Sequence, residues 1–167
     1  CLQWNGCDIA IVDNPAPSEH RLSVFVRIGS LRLMDVGHVE AWQTLLEVLA
    51  ALGFVYGRSV PSRVDPCVDI PDESMEGIPE AINAHRKLCK ATKDDIKRNA
   101  GKWETYTIGR GVVSMRAYAK SRECRNDEVK RQLLIERRWG HDCDHAIRVE
   151  FQLRSKALRR YFNITSV

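Results

Sequence analysis

The chain has 167 residues, enough for one compact domain with a sizeable core and too few for two large domains. Hydrophobic residues make up 44% and charged residues 29%, which is typical of a soluble globular protein. No apolar run reaches the roughly 18 residues that a membrane-spanning helix needs. The first residue is Cys1 rather than Met, so the sequence is expected to be a fragment of a longer protein.

Charge is distributed unevenly along the chain. Residues 1–85 contain 5 Lys and Arg against 12 Asp and Glu, whereas residues 86–167 contain 21 against 10. The net charge is therefore −7 in the first segment and +11 in the second. A strongly basic half favours a phosphate-bearing polymer as partner, although solvated helix faces also collect Lys and Arg.

The first elements are two strands and a helix. Apolar, β-branched runs predict strands at Cys7–Val12 and Leu22–Ile28, separated by proline and asparagine residues that are typical of a loop. From His38 to Leu52, apolar residues recur mostly at three- and four-residue spacing and Gly53 follows as a stop, which predicts an amphipathic helix.

The rest of the chain alternates between extended and helical patterns. The segment 72–101 is polar and mostly helical in pattern, with Pro79 near a helix start. The other predicted elements are strands at 62–70, 105–108, 112–120 and 146–154, and helices at 126–138 and 156–161. Strands that arrive in hairpins predict an α+β fold, with a largely antiparallel sheet and helices packed on one face, over a single domain at residues 1–167.

Six cysteines stand at positions 1, 7, 67, 89, 124 and 143 without a C-x-x-C pair, which argues against a zinc ribbon and predicts reduced cytosolic thiols. The run 141–145, H-D-C-D-H, contains metal-capable side chains, but five adjacent residues cannot all converge on one ion. A polar loop is the favoured interpretation there.

Three predicted strands each have one polar face, because residues two apart in a strand point to the same side. These faces contain Arg63, Asp65, Cys67 and Asp69; Ser114, Arg116, Tyr118 and Lys120; and Arg148, Glu150, Gln152 and Arg154. A half-solvated antiparallel sheet produces the same alternation without any function. The combination of a tyrosine between two cations with three carboxylates nevertheless favours phosphodiester transfer.

The chemistry explains this preference. A phenol with a pKa near 10 is a weak nucleophile unless cations favour its phenolate, and Arg116 and Lys120 flank Tyr118. Developing phosphoryl charge is stabilised by a hard divalent cation on oxygen ligands. Tyr118, Arg116 and Lys120 are therefore the candidate catalytic residues. Asp65, Asp69 and Glu150 are the candidate ligands for Mg²⁺ or Mn²⁺.

Three motifs together resemble the replication initiation factor family of plasmid and phage rolling-circle initiators. They are S-R-V-D-P-C-V-D at 62–69, T-Y-T-I-G with M-R-A-Y-A-K-S-R-E within 105–123, and R-V-E-F-Q-L-R at 148–154. The three motifs span residues 62–154, more than half of the chain. The pair of histidines around a hydrophobic residue that marks a larger, histidine-dependent superfamily is missing from the sequence.

The resemblance implies a site-specific endonuclease in which Tyr118 nicks origin DNA, becomes linked to the 5′-phosphate and leaves a 3′-hydroxyl primer. Asp65, Asp69 and Glu150 match the family's acidic positions, and Arg116, Lys120 and Glu123 match surrounding charged positions. The implied partners are single-stranded or cruciform origin DNA and a host helicase or polymerase, with a homodimer as one form. The basic segment 86–138 is expected to follow the DNA backbone. The expected DNA contacts are Arg63, Lys102, Arg110, Arg122, Arg148 and Arg154.

The sequence departs from the family pattern at two positions. Ala119 replaces the usual Asp or Asn, and Pro66 replaces an apolar residue, so reduced activity is one expectation. Because proline has no N–H to donate, Pro66 is expected at a sheet edge or a bulge. Two other hypotheses stay open: a non-catalytic DNA-binding regulator, and an ordinary α+β domain with a solvated charged face.

Overall fold

The computed structural model describes residues 1–12, 24–55, 57, 59–84 and 93–165. The chain divides into two compact units, Cys1–Tyr56 and Gly57–Val167. A single domain over residues 1–167 stays a prediction. None of the helices within the described ranges combines the length and the apolar character that crossing a membrane requires.

The first unit contains a three-stranded antiparallel sheet and a long helix. Its strands are β1 (Leu2–Trp4), β2 (Cys7–Ile11) and β3 (Val24–Ile28). The turn between β1 and β2 is Asn5-Gly6, with both residues at positive φ, as a two-residue hairpin loop requires. The predicted strand at 7–12 is confirmed. The predicted strand at 22–28 is confirmed from Val24 onward, and its first two residues lie outside the described ranges.

Helix α1 (Ser30–Ala51) consists of two helical segments that meet at Gly37. Gly37 has φ 79°, a left-handed value that costs glycine little and most other residues more. The predicted helix from His38 corresponds to the second segment, whose Ala41 and Leu45 are buried. The apolar spacing therefore predicts the second segment of α1 but not the first, which lies before Gly37.

The second unit contains six more strands and four more α-helices among its described residues. They are β4 (Arg63–Val64), β5 (Cys67–Pro71), α2 (Ile78–Ala84), β6 (Asp94–Asn99), β7 (Lys102–Ile108), β8 (Val113–Ala119), α3 (Lys120–Glu123), α4 (Glu128–Leu134), β9 (Ala146–Arg154) and α5 (Ser155–Phe162). A π-helical turn, Ile135–Trp139, extends α4. The strand order is β4-β9-β8-β7-β6, and β5 also pairs with β9.

All strand pairs of the described residues are antiparallel, and the fold class is α+β as predicted. The predicted strand at 146–154 and the hairpin around Gly109 are confirmed, and so are the last two helices within a few residues. β9 is central, because β8 pairs along one side of it and β4 and β5 along the other.

Pro66 interrupts the edge strand without shifting its register. Val64 pairs with Leu153 and Cys67 pairs with Glu150, so equal numbers of residues separate the two ladder segments. The Pro66 carbonyl still accepts a hydrogen bond from the Phe151 amide at 2.9 Å, but Pro66 has no N–H to return. The expectation of an edge position for this proline is confirmed.

The helical interpretation of residues 72–101 is only partly correct. Pro79 is the second residue of α2, as expected, but residues 94–99 form strand β6, and residues 85–92 lie outside the described ranges. All six residues of β6 are exposed and five of them are polar, so no apolar alternation marks the strand. Its pairing with β7 through a turn at Ala100 and Gly101 decides the conformation.

The core of the second unit lies on one face of its sheet. Tyr106, Ala117 and Ile147 are each 0% exposed, and Met75 and Ile108 complete the buried cluster. Ala117 stands opposite both Tyr106 of β7 and Val149 of β9, because alternate residues of paired strands share a face. The apolar sides of β7, β8 and β9 therefore form this core, which leaves their polar sides for the opposite face.

We expect Ile147→Ala to lower the free energy of unfolding by about 2–5 kcal/mol, because it opens a cavity among fully buried side chains. Val68→Ala is the matched control on the neighbouring strand, since Val68 is 55% exposed and should change stability by less than about 1 kcal/mol. Urea denaturation followed by circular dichroism measures both. Equal losses in the two variants would contradict the described core.

Candidate active site

The polar faces of β5, β8 and β9 lie side by side in one register. Arg116 stands opposite Glu150, while Tyr118 and Asp69 stand opposite Arg148 from its two sides. Arg148 and Glu150 are nevertheless buried, at 3% and 7% exposure. The expectation of a solvated polar face is therefore wrong around these residues, because their charges pair with one another instead of with water.

Tyr118 and Arg116 both bind the Glu150 carboxylate. The Tyr118 hydroxyl donates to Glu150 Oε2 at 3.2 Å, and Arg116 Nε donates to Oε1 at 2.9 Å, with a second, short contact from its terminal nitrogen. The Arg116 guanidinium carbon also lies 5.8 Å from the centre of the Tyr118 ring. Glu150 is thus held by a cation at one oxygen and presents the other oxygen to the phenol.

The pKa of Tyr118 is raised, which corrects the expectation that its flanking cations favour the phenolate. Burial raises it most, and the negative charges of Glu150 and Glu123 raise it further, while Arg148 opposes them. The charge of Arg116 is directed at Glu150, where the hydrogen bond raises the pKa of Arg116 itself. Tyr118 is therefore a protonated phenol beside a carboxylate that can accept its proton.

Arg148 and Asp69 form a buried ion pair between β9 and β5. Arg148 Nε and its terminal nitrogen donate to the two Asp69 oxygens at 2.5 and 2.7 Å. Their side chains are 3% and 1% exposed. Burial by itself lowers the pKa of Arg148, but the hydrogen bonds and charge of Asp69 outweigh it, and the net pKa is raised.

Lys120 is the first residue of α3 rather than the last of β8, which corrects its assignment to the strand. Its ammonium still lies 5.7 Å from the centre of the Tyr118 ring. Lys120 Nζ donates to Glu123 Oε2 at 2.5 Å, and Lys130 of α4 contacts the other Glu123 oxygen. Burial lowers the pKa of Lys120, and the hydrogen bond to Glu123 counteracts part of that effect.

Asp65 has an oxygen that suits a divalent cation, whereas both oxygens of Asp69 and of Glu150 are bound by neighbouring side chains. Asp65 Oδ1 is buried without a hydrogen-bond partner among the described residues, and Oδ2 meets Arg63 at 3.1 Å. Burial raises the pKa of Asp65, and the nearby Glu150 charge raises it further, as expected of carboxylates that share a site. Both Asp69 oxygens are bound by Arg148, and the described residues contain no group of three metal-capable side chains close enough to hold an ion.

The six expected DNA contacts divide into five exposed residues and one buried residue. Arg63, Lys102, Arg110, Arg122 and Arg154 are exposed. The expected DNA contact at Arg148 is not compatible with the structure, because its guanidinium is enclosed with Asp69 and offers no free edge to a phosphate. It acts within the sheet.

Lys102 and Arg122 also line a pocket of about 430 Å³ in the second unit. Trp103 and Ser121 line it too, and the Trp103 carbonyl accepts a weak hydrogen bond from Arg122 at 3.5 Å. Three carboxylates, Asp72, Glu73 and Glu76, contribute to the same walls. The mixed charge makes this pocket a poorer site for a phosphate than an open basic surface is.

The residues 141–145 form a loop between the π-helical turn and β9, as predicted. His141 binds Asp72 at 2.8 Å, Asp142 contacts Arg131, and Cys143 is buried. These residues have separate surroundings, as the residues of a polar loop do. The five cysteines within the described residues are free thiols, and Cys89 lies outside them.

Sequence reasoning missed the link from the site to α4. Glu123 connects Lys120 to Lys130, but seven residues and a turn separate Glu123 from Lys130, so strand alternation cannot pair them. Arg138 of the π-helical turn also reaches the Cys67 carbonyl of β5 at 3.5 Å. The basic helix predicted at 126–138 thus has one cation directed at α3 and one at β5.

A scan against protein-family models and searches of curated proteins and of solved structures find no match for this chain. The resemblance to the replication initiation factor family stays a prediction from the sequence.

We expect Asp69→Asn to lower the free energy of unfolding by about 3–5 kcal/mol, because it leaves the buried Arg148 charge without its counter-ion. Asp72→Asn is the control: it weakens the exposed pair with His141 and should cost less than about 1 kcal/mol. Chemical denaturation at pH 7 separates the two. A small loss at Asp69 would show that the pair is not closed to water.

We expect the wild type to lose stability faster than Tyr118→Phe as pH rises above 10. The phenol ionises near its ordinary pKa of 10.0 in the unfolded chain but at higher pH in the folded chain, so the folded state then holds more protons. Stability therefore falls with rising pH in the wild type by a contribution that phenylalanine lacks. Thermal midpoints of both proteins between pH 8 and 11 give the comparison, and parallel curves would contradict it.

Proposed function

We propose that this chain is a DNA-nicking enzyme that initiates rolling-circle replication, with Tyr118 as its nucleophile. The observation that supports this function most is the hydrogen bond from the Tyr118 hydroxyl to Glu150, whose other oxygen is held by Arg116. A nucleophile, a base and a group that orients the base recur in enzymes that form covalent intermediates. The net positive charge of the second half supports a nucleic acid as substrate.

Glu150 is the general base in this proposal. The raised pKa of Tyr118 keeps the phenol protonated at neutral pH, so its proton must leave during attack. Glu150 Oε2, at 3.2 Å, is within reach to accept it. This role replaces metal binding as the main function assigned to Glu150.

The reaction exchanges one phosphoester bond for another. The Tyr118 oxygen forms a bond to the scissile phosphorus while its proton passes to Glu150. The bond from phosphorus to the 3′ oxygen breaks, and that oxygen takes a proton from water to become a 3′-hydroxyl. The 5′-phosphate remains on Tyr118 as a phosphodiester, which retains the energy needed for later religation.

Arg116 is the cation that can contact the phosphoryl oxygens. Its side chain is 45% exposed, so its outer edge can meet a phosphate while it binds Glu150. Lys120 is buried and bound to Glu123, so it contributes its positive charge beside the Tyr118 ring rather than a direct contact. A bound Mg²⁺ or Mn²⁺ would supply Lewis-acid stabilisation of the same oxygens. Asp65, whose buried oxygen lacks a hydrogen-bond partner among the described residues, is the residue that would hold it.

The proposed substrate is single-stranded or extruded origin DNA in a bacterial cell. A 3′-hydroxyl primer would be handed to a host helicase and polymerase. The exposed cations Arg63, Arg110 and Arg154 are the proposed contacts to the DNA backbone.

A covalent adduct with labelled single-stranded origin oligonucleotides tests the proposal. We expect a Mg²⁺- or Mn²⁺-dependent adduct on denaturing gels with the wild type and none with Tyr118→Phe. Tyr161→Phe is the control, because Tyr161 is 62% exposed on α5 and its hydroxyl has no role in the reaction. The proposed nucleophile would be wrong if neither the wild type nor Tyr118→Phe formed an adduct across a panel of origins, or if both did.

Glu150→Gln distinguishes catalysis from a structural role for the same network. We expect it to slow adduct formation by roughly 10²–10⁴-fold, as loss of a general base does, with DNA binding retained. A non-catalytic DNA-binding regulator is the second candidate, favoured by the pairing of Asp69 and Glu150 with arginines. That candidate predicts salt-dependent binding that a chelator does not change, and no adduct from any variant.

A further inference from the structure

A second group of chemically distinctive side chains lies where β9 ends and α5 begins. We define the α5 patch as Arg63, Arg154, Arg159, Arg160, Tyr161 and Phe162, all of which are exposed. Four are always-charged arginines, and two are large aromatic residues in the last turn of α5. Exposed aromatic residues beside arginines are the composition of surfaces that bind single-stranded nucleic acid.

Two arginines of the patch lie directly opposite one another on the neighbouring strands β4 and β9. Arg63 and Arg154 are in register, although like charges directly opposite destabilise a strand pair. Asp65 partly neutralises Arg63 at 3.1 Å, while Arg154, among the residues that the structure describes, has a weak contact to the Gln152 amide oxygen at 3.4 Å. A phosphate between the two guanidinium groups would relieve this repulsion.

The helix adds two more cations beside them. Arg159 and Arg160 lie in the last turn of α5, where positive charge also stabilises the helix end. That effect explains the arginines but not the neighbouring aromatic residues. Tyr161 and Phe162 are 62% and 55% exposed, a large apolar area to leave in water.

The buried side of α5 fixes how the helix sits on its unit. Ala157 and Leu158 are buried, and the Ser155 amide donates to the Ser62 carbonyl at 2.8 Å, which joins the start of α5 to the segment before β4. Tyr161 and Phe162 follow the two buried residues by one helical turn, but at the end of the helix they are exposed. The Arg160 guanidinium carbon lies 5.4 Å from the centre of the Tyr161 ring, so a cation and an exposed ring stand side by side.

The patch is continuous with the candidate active site along β9. Arg154 lies on the same face as Glu150, four residues further on, which is roughly 13 Å in an extended strand. Gln152 lies between them on that face, opposite Ser114 of β8. A strand of DNA leaving the Tyr118 site can follow these polar side chains to the patch.

We propose that the α5 patch binds single-stranded DNA next to the nicking site, with arginines on phosphates and bases stacked on Tyr161 and Phe162. This inference rests on the proposed function for its choice of nucleic acid. The four arginines provide the sequence-independent attraction, and the rings select unpaired bases, since only those expose a face for stacking.

Binding is measured by fluorescence anisotropy with a labelled mixed-sequence 20-nucleotide single strand, on a Tyr118→Phe background that prevents cleavage. Arg159→Gln with Arg160→Gln should weaken binding and reduce the slope of log affinity against log salt by about 1.4, since each lost phosphate contact contributes about 0.7. Arg159→Lys with Arg160→Lys keeps both charges and should keep the slope. Arg27→Gln controls for net charge, since Arg27 lies in the first unit.

Tyr161→Ala with Phe162→Ala should weaken binding by about tenfold or more at every salt concentration and leave the slope unchanged, because stacking releases no counter-ions. Tyr161→Phe keeps the ring and should bind like the parent protein. The same strand annealed to its complement should bind equally well to the alanine variant and the parent, because paired bases cannot stack on the rings.

The proposal would be overturned if the alanine variant bound the single strand as tightly as the parent. It would also be overturned if Arg27→Gln weakened binding, per charge removed, as much as the substitutions of Arg159 and Arg160 do. A basic amphipathic helix also suits anionic membranes, so vesicles of anionic phospholipid form a further arm. Loss of vesicle binding with unchanged DNA binding would overturn the DNA assignment. If a variant fails to fold, crosslinking of the Tyr118→Phe protein to an iodouridine oligonucleotide decides, with the label expected within 155–162.

The two proposals can fail separately. An adduct that depends on Tyr118, together with normal DNA binding by all patch variants, would leave the nicking activity standing and remove the patch. Impaired binding by the patch variants without any adduct would do the reverse.

Discussion

The ion pair between Arg148 and Asp69 determines how the second unit is arranged. Both side chains are almost wholly buried, so each charge needs the other within the sheet. A slip of β9 by one residue would place Arg148 in the apolar core and break the pair, because side chains alternate between faces. The register of β5, β8 and β9 is thereby constrained by charge on one face and by apolar packing on the other.

The same register brings Tyr118, Arg116 and Glu150 together. Arg148 stands between Tyr118 and Asp69, and one step along β9 Glu150 meets Arg116. Burial makes the charges of this face interact strongly and also makes ionisation of the phenol unfavourable. A tyrosine in such surroundings is suited to attack with concerted loss of its proton and poorly suited to act as a preformed phenolate.

The alternation of polar and apolar residues along the strands predicts most of what the sequence could show about the fold and the site. It located β9 to the residue and placed Arg116, Tyr118, Arg148 and Glu150 on one face, since period-two patterns determine facing. It could not show that this face is buried, because burial depends on α3 and the π-helical turn, which contact β9 and β5. For that reason Arg148 was expected on DNA and is found inside the sheet.

β6 and α5 mark two other limits. The β6 sequence D-D-I-K-R-N has no apolar side, and only its partner β7 makes it a strand. The sequence pattern predicts the helix of α5 but not the exposure of Tyr161 and Phe162, since aromatic residues in a helix are more often buried. Both cases depend on which residues pack nearby in the folded chain, and local patterns contain no information about them.

β6 has a consequence for how the molecule can associate. This edge strand carries four charged residues, and its ladder with β7 has a register shift between Lys97 and Arg98. A strand added at this edge would meet charged side chains and an irregular backbone. This border of the sheet therefore resists templated aggregation.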